Sequence, residues 1–207
     1  GKYKPSNRWE EAQLREIAFF LLFAFEGYQE LLPQHFYGHQ KLFMLSTFYK
    51  TGWSANEFSA GKILEIGCGP LGMIEFLSCA QAIAFDPLNA QYQRLFSKVK
   101  KSAIKNVVSV DEISNNGEKF DLVICHNMID HTEDPAWYFN YLFSCLEVGG
   151  KFLLQVNLSD SRYPQTADHA AMHPSPITIG QISNWLDSQS SDYKLEHSTK
   201  PTADNEF

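Results

Sequence analysis

The pattern of hydrophobic and polar residues changes character early in the chain. Before the change, apolar residues form long stretches such as Ile17–Phe25, which are hydrophobic on every helical face and predict buried helices. The first helix is expected to run from Asn7 to about Glu30. Pro33 and Gly38 are expected to interrupt the helical pattern, and a second helix is predicted for 39–50.

After residue 61, short apolar runs alternate with amphipathic stretches. This alternation predicts a parallel sheet with right-handed crossovers, and therefore a doubly wound, mostly parallel α/β fold. We expect an N-terminal helical cap over 1–58 and a ligand-binding domain over 59–207, joined in a single compact unit. Strands are predicted at 62–66, 81–86, 106–110, 120–125, 151–158 and 193–197, and helices at 71–79, 87–101, 135–146 and 177–186.

A glycine-rich segment leaves the first predicted strand. Gly67, Gly69 and Gly72 have the GxGxxG spacing of dinucleotide-binding loops, in which glycine lets the backbone approach a ligand closely. Glu65, two residues earlier, would repel a pyrophosphate but suits a cofactor that carries cationic groups. Asp86 ends the next predicted strand and can accept hydrogen bonds from both hydroxyls of a ribose. The loop therefore predicts a nucleoside cofactor.

Four segments, taken in order, are similar to the motifs of one enzyme family. LEIGCGP, FDP, FDLVICHNMIDHTEDP and LEVGGKFLLQV resemble segments of the class I S-adenosylmethionine-dependent methyltransferases of type 11, and together they cover 62–158. The resemblance implies S-adenosylmethionine as the cofactor and S-adenosylhomocysteine as the product. It also implies that 59–207 is the cofactor-binding methyltransferase domain.

The same resemblance assigns roles to individual residues. The glycine loop and the acid before it are expected to hold the methionine end of the cofactor. The acid after the second strand is expected to bind its ribose, and the residues after the third strand its adenine. Two consecutive acids there leave open which carboxylate faces adenine, and Cys125 with His126 is expected to border the sulfonium. In chain order the implied cofactor residues are Glu65, Gly67, Cys68, Gly69, Asp86, Asp111, Glu112, Ile113 and His126.

The C-terminal part departs from the family pattern. The family closes its sheet with an antiparallel pair of strands, but only 193–197 is predicted as a strand after the last helix. Either the final strand is reduced to 203–207, or the sequence stops before the natural end. The sequence therefore does not decide which strand forms this edge of the sheet.

Methyl transfer from a sulfonium is an in-line displacement with a neutral leaving group, so it depends chiefly on positioning and desolvation. A general base is needed only where the acceptor must lose a proton, as a hydroxyl does. His131, in the turn after the fourth predicted strand, is the candidate base; alternatively it caps this turn or packs on the next helix. His169 and His173 have i, i+4 spacing, but Pro174 disfavours a helix there, and no metal site is predicted.

Charge and composition narrow the choice of partner. The 207 residues include 17 Lys and Arg against 24 Asp and Glu, a net charge of -7 that argues against a nucleic-acid partner. The segment HNMID lacks the Asn/Asp-Pro-Pro-aromatic run of amino-methyltransferases. We therefore expect a small-molecule or sugar-containing acceptor, methylated on oxygen or nitrogen. The cysteines form no CxxC pair, and no signal peptide or membrane-spanning run is found, so a cytoplasmic protein is expected.

Two other functions are compatible with part of the pattern. A nicotinamide-dependent oxidoreductase would use the GxGxxG spacing and Asp86, but Glu65 and the fourth-strand motif count against it. A non-catalytic domain could retain the fold without turnover. The apolar first helix serves either the core or the interface of a homo-oligomer, and the polar insertion 159–175 is a candidate lid over the acceptor.

Overall fold

Five strands form one sheet in which every neighbouring pair is parallel, in the order β3-β2-β1-β4-β5. The structure is a computed structural model that describes residues 7–25, 32–96, 103–114, 117–159 and 173–189. The strand order reverses between β1 and β4, and this places a ligand crevice at their carboxyl ends. The strands are β1 (Lys62–Ile66), β2 (Gln81–Phe85), β3 (Lys105–Val107), β4 (Phe120–His126) and β5 (Leu146–Gln155).

Helices cover both faces of this sheet, so the predicted doubly wound α/β fold is confirmed. Short 3-10 turns at Met73–Phe76 and Ile129–His131 follow β1 and β4. Their positions matter for function because both lie at the carboxyl ends of the central strands. The α-helices are α1 (Asn7–Phe25), α2 (Leu32–Tyr49), α3 (Asn89–Phe96), α4 (Asp111–Ser114), α5 (Pro135–Ser144) and α6 (Ile179–Asp187).

The central strands are apolar without interruption because both of their faces are buried. Successive side chains point to opposite faces, so Leu64 packs with Phe139 of α5, while its neighbour Ile63 packs with Phe48 of α2. All four side chains are fully buried. Helix α2 therefore belongs to a layer of the main core, although the sequence places it in the N-terminal cap.

The helix predicted for 71–79 is wrong: only Met73–Phe76 turns, as a 3-10 helix, and Leu77 is already extended. The Glu65 carboxylate accepts the backbone N–H groups of Met73 and Ile74, at 2.9 and 2.8 Å. This contact fixes the beginning of the turn against β1. The chain then has only a few residues in which to reach β2, so a single tight turn replaces a full helix.

The predicted break at Pro33 and Gly38 is also wrong, because α2 runs through both residues. Pro33 is the second residue of the helix, where no intrahelical partner for an N–H is required. Gly38 is exposed in the helix interior, where its low helix propensity costs about 1 kcal/mol. Burial of residues such as Phe48 and Met44 offsets that cost.

Gly149 and Gly150, which come just before the strand predicted at 151–158, lie inside β5. The pairing register between β4 and β5 shifts between Phe120 and Leu122, which marks a bulge in this region. Gly149 has a φ of +78°, which only glycine adopts readily. β5 therefore begins at Leu146, several residues before its predicted start.

Several predictions fall outside the described residues, among them the strand at 193–197, most of the insertion 159–175, and His169. No described helix has the length and apolar character needed to cross a bilayer. All four cysteines are free, and three of them are buried. The cap boundary at residue 58 stays a prediction.

Candidate functional site

A narrow cleft opens where β1, β2 and β4 end. Its walls come from the loops after these strands, from Tyr138 of α5, and from Gln13 and Glu16 of α1, which lies across the opening. The free volume of the cleft is about 50 Å³. Pockets for drug-sized ligands measure roughly 300–1,000 Å³. The position is that of a ligand site in a doubly wound fold, and α1 closes most of it.

The glycine loop after β1 has the backbone conformation predicted for it. Gly67 and Gly69 have φ values of +72° and +57°. A Cβ on Gly67 would lie 2.1 Å from Cγ of Met128, so the residue must be glycine for space as well as for conformation. Phe20 of α1 lies over Gly69, 3.6 Å from the place of its missing Cβ. The loop is thus tightly enclosed between α1 and the turn after β4.

Asp86 connects the glycine loop to the segment after β2. Its Oδ2 accepts the N–H of Gly69 at 2.9 Å, and its Oδ1 accepts the N–H of Leu88 at 2.8 Å. The residue is 6% exposed and lines the cleft. A carboxylate oxygen can accept more than one hydrogen bond, so both oxygens retain acceptor capacity for a ligand.

Glu65, by contrast, is fully buried. Both of its oxygens accept backbone N–H groups of the 3-10 turn, and a Cβ on Gly72 would lie 2.5 Å from one of them. Glu65 does not line the cleft. Cys68 is also buried, with Sγ 3.6 Å from Oδ1 of Asn89. In this arrangement both residues support the glycine loop from the protein interior and do not line the cleft.

The residues expected at adenine lie in α4, after β3, and none of the three lines the cleft. Oε1 of Glu112 accepts the N–H groups of Val108 and Ser109, at 3.0 and 3.1 Å, which supports the start of α4. Ile113 is 3% exposed and belongs to the main core. Asp111 and Glu112 are both exposed.

At the end of β4, the predicted pair points into the protein. Cys125 is fully buried, which raises the pKa of its thiol. Burial lowers the pKa of His126 to about 4, and its ring meets Phe43 of α2 edge to face at 5.3 Å. The cleft is instead lined by the next two residues, Asn127 and Met128. The sequence analysis missed both, although they lie within three residues of the end of the predicted strand.

His131 does line the cleft, as its position after β4 predicts. Its Nδ1 lies 3.0 Å from Oε2 of Glu16 on α1. Burial alone would lower the pKa of His131, but the carboxylates of Glu16, Asp130 and Asp86 outweigh it and raise the pKa. The contact with Glu16 of α1 therefore contributes to the raised pKa of this histidine.

A second histidine, His173, packs against the first. The two ring centroids are 4.1 Å apart, and Nδ1 of His173 lies 2.5 Å from Oδ2 of Asp130. The sequence analysis singled out neither Asp130 nor Glu16, and it paired His173 with His169 rather than with His131. These residues come from three separate segments, and no local spacing signals their proximity.

Comparison with protein families now adds to this geometry. The family described as "Methyltransferase domain" matches residues 34–197, which is most of the chain. The chain belongs to this family. The predicted class, a class I S-adenosylmethionine-dependent methyltransferase, is therefore confirmed, and the nicotinamide-dependent alternative loses its support.

Curated relatives of this methyltransferase domain act on different acceptors. A tRNA U34 carboxymethyltransferase of Campylobacter hominis is 26% identical over 157 residues, which cover 68% of this chain and 53% of the relative. A mitochondrial ubiquinone biosynthesis O-methyltransferase of Rattus norvegicus is 29% identical over 119 residues, covering 51% and 33%. The chain thus spans about half the length of the first relative and a third of the second.

Solved structures share the fold. The plantazolicin methyltransferase BpumL, in complex with a desmethyl analogue and S-adenosylhomocysteine, is 14% identical, with a TM-score of 0.52 and coverage of 88% of this chain and 77% of BpumL. A putative methyltransferase of Bacillus halodurans C-125 is also 14% identical, with a TM-score of 0.52 and coverage of 70% and 66%. At these identities the likeness supports the fold alone.

Proposed function

We propose that this methyltransferase domain binds S-adenosylmethionine in the cleft and transfers its methyl group to a small-molecule or sugar-containing acceptor. The observation that carries the proposal is the junction of Asp86 with the glycine loop at the point where strand order reverses. When bound, the cofactor supplies a methyl group already activated by its sulfonium and leaves as S-adenosylhomocysteine. The protein then has to position the two reactants and exclude water.

The residues at the cleft fit such a cofactor. The backbone at Gly67 and Gly69 presents no side chain, so a ligand can approach it closely. Asp86 retains acceptor capacity for the ribose hydroxyls. The Asp86 carboxylate lines the cleft, and its charge suits a sulfonium and an ammonium group while it repels a pyrophosphate. We assign Glu65 a supporting role, because its oxygens hold the 3-10 turn.

For adenine we assign Asp111 rather than Glu112, because the latter carboxylate is engaged by the backbone of its own turn. Ile113 and His126 point into the core, so any contact with the cofactor comes from their backbone. The small free volume of the cleft requires α1 to move outward before a nucleoside can enter.

A second candidate function is methylation of RNA. Relatives from Campylobacter hominis and Campylobacter jejuni are tRNA U34 carboxymethyltransferases, and this observation favours a tRNA acceptor. The net charge of -7 opposes it, since RNA binding relies on Lys and Arg at the phosphates. We retain the small-molecule acceptor as the first candidate.

The cofactor is tested by calorimetric titration with S-adenosylmethionine, S-adenosylhomocysteine and NADH as a control ligand. We expect the two adenosyl ligands to bind and NADH not to bind. Asp86→Ala should weaken adenosyl binding by about 1.5–3 kcal/mol, the range for hydrogen bonds to a charged group.

The matched control is Asp121→Ala. Asp121 also accepts a backbone N–H, from Lys62 at 2.7 Å, but it lies where β4 begins, at the opposite edge of the sheet. This variant should keep full affinity. Unchanged affinity in a folded Asp86→Ala protein would remove Asp86 from the site, and binding of NADH alone would overturn the proposed function.

Radiolabelled methyl transfer distinguishes the acceptors. Label from S-adenosylmethionine is followed into bulk tRNA and into a panel of phenols, amines and glycosides. Incorporation into the panel, with none into tRNA, supports the first candidate. The reverse pattern supports the second.

A further inference from the structure

Three metal-ligating side chains meet beside the cleft. They are Asp130 and His131, in the 3-10 turn after β4, and His173, ahead of α6. Each offers one ligand atom, and these atoms all lie within 4.8 Å of one another. Asp130 and His173 are 43 residues apart in sequence, so the tertiary fold alone creates the cluster.

Two polar atoms of this cluster are buried without a hydrogen-bond partner among the described residues. Asp130 is 1% exposed, and its Oδ1 has no hydrogen-bond partner among the described residues. Nε2 of His131 is likewise buried without a hydrogen bond there. A buried acceptor without a partner is energetically unfavourable and needs an explanation.

We propose that Asp130, His131 and His173 bind a divalent transition-metal ion of the Zn²⁺, Mn²⁺ or Co²⁺ class. Two imidazoles and one carboxylate are a donor set of this class, and three protein ligands leave a coordination position open. Ligands about 2.1 Å from one tetrahedral ion lie roughly 3.5 Å from each other. The observed cluster therefore needs only small side-chain shifts to accept the ion.

The surrounding charge also suits a cation. Glu16 places a second carboxylate 3.0 Å from His131, and Asp86 lies on the same cleft. Together with Asp130 these groups offset a charge of +2. His131 lines the cleft, so an open coordination position there meets the edge of the space assigned to the acceptor. This last step rests on the proposed function: the ion would act as a Lewis acid that lowers the pKa of an acceptor hydroxyl.

The test uses tag-free, chelator-stripped protein titrated with Co²⁺, with Zn²⁺ as competitor. We expect visible d–d absorption bands that Zn²⁺ displaces, and a higher melting temperature with Zn²⁺ than without it. His173→Gln and Asp130→Asn should each weaken Co²⁺ binding by at least about 100-fold, since the loss of outer-shell partners alone costs 10–100-fold.

His39→Gln is the matched control, because His39 is exposed on α2 and lies outside the cluster. It should bind Co²⁺ like the wild type. Circular dichroism shows whether each variant is folded. Should a variant not fold, the Zn²⁺-dependent melting shift of the wild type and of His131→Gln decides in its place.

Folded wild-type protein without Co²⁺ bands would overturn the proposal, and so would bands that survive His173→Gln. The titration contains no adenosyl ligand. If the protein binds Co²⁺ but does not bind S-adenosylmethionine in calorimetry, the metal site is supported and the proposed function is overturned. The converse result would remove the metal site alone.

Discussion

The half of the cleft formed after β1 and β2 is held together differently from the half formed after β4. In the first half, the buried carboxylates of Glu65 and Asp86 accept backbone N–H groups that lie within about twenty residues of them. In the second half, side chains contact side chains from distant segments: His131 meets Glu16, and Asp130 meets His173. Backbone hydrogen bonds over short sequence distances therefore hold the first half, whereas contacts between side chains of distant segments, including α1, hold the second half.

This difference suits the two tasks of a methyltransferase domain. The cofactor is common to the family, so a backbone loop fixed by short-range hydrogen bonds can bind it in every member. The acceptor differs among the relatives, which include a tRNA enzyme and a ubiquinone biosynthesis enzyme. Side chains brought together from several elements can change without disturbing the loop.

Gly67→Ala alters the half of the cleft formed after β1 and β2, and we expect it to have the largest effect. Alanine at this position would have to keep a φ of +72°, which is strained for a residue with a Cβ. The new Cβ would also lie 2.1 Å from Cγ of Met128. Backbone strain and overpacking each cost roughly 1–3 kcal/mol, so we expect about 3 kcal/mol less stability in urea unfolding, and loss of cofactor binding.

Gly117→Ala separates the two contributions. Gly117 also has a positive φ, +59°, but nothing lies within 4 Å of the added Cβ. It should lose only about 1 kcal/mol. Equal losses of stability in the two variants would show that the contact with Met128 does not contribute to the destabilisation.

A second prediction concerns a buried titratable side chain of the β4 half. Burial lowers the pKa of His126 to about 4, whereas the unfolded chain has the ordinary value near 6.5. The unfolded state therefore binds more protons between these values, and stability falls as the pH drops through this window. Between pH 7 and 5 the loss due to His126 should be about 2 kcal/mol.

Urea unfolding of the wild type and of His126→Gln at both pH values measures this loss. Glutamine cannot titrate, so the variant should lose about 2 kcal/mol less between pH 7 and 5 than the wild type does. Identical losses in the two proteins would mean that folding does not lower the pKa of His126.

The smallest effect is expected where α1 meets the β4 half. Glu16→Gln weakens a mostly buried contact with His131 and should cost about 0.5–1 kcal/mol of stability. If α1 moves outward when the cofactor enters, as we propose, the same change should tighten S-adenosylmethionine binding about two- to fivefold in calorimetry.

Glu11→Gln is the control on the same helix, since Glu11 pairs with Arg15 one turn along α1, and Glu11 is mostly exposed. It should leave the affinity unchanged. If Glu16→Gln instead weakens binding, Glu16 contacts the cofactor directly and does not act through α1.

The sequence alone determined the order of the five strands after residue 61, the glycine loop and the acid that follows β2. These features depend on local rules: apolar runs make buried strands, glycine permits a positive φ, and residues that follow parallel strands meet at one edge of the sheet. The positions of Gly67, Gly69 and Asp86 could be predicted for this reason.

Only the tertiary structure decided where Glu65 points, that α2 belongs to the core, and that Asp130, His131 and His173 form a cluster. Each of these facts depends on a contact between segments far apart in sequence, or on competition among several partners for one side chain. A carboxylate before a glycine loop can face a ligand or the backbone of the next turn, and the sequence pattern is the same in both cases. Packing of the whole domain selects one of these arrangements, because the buried group must find its hydrogen bonds among the neighbours that the fold supplies.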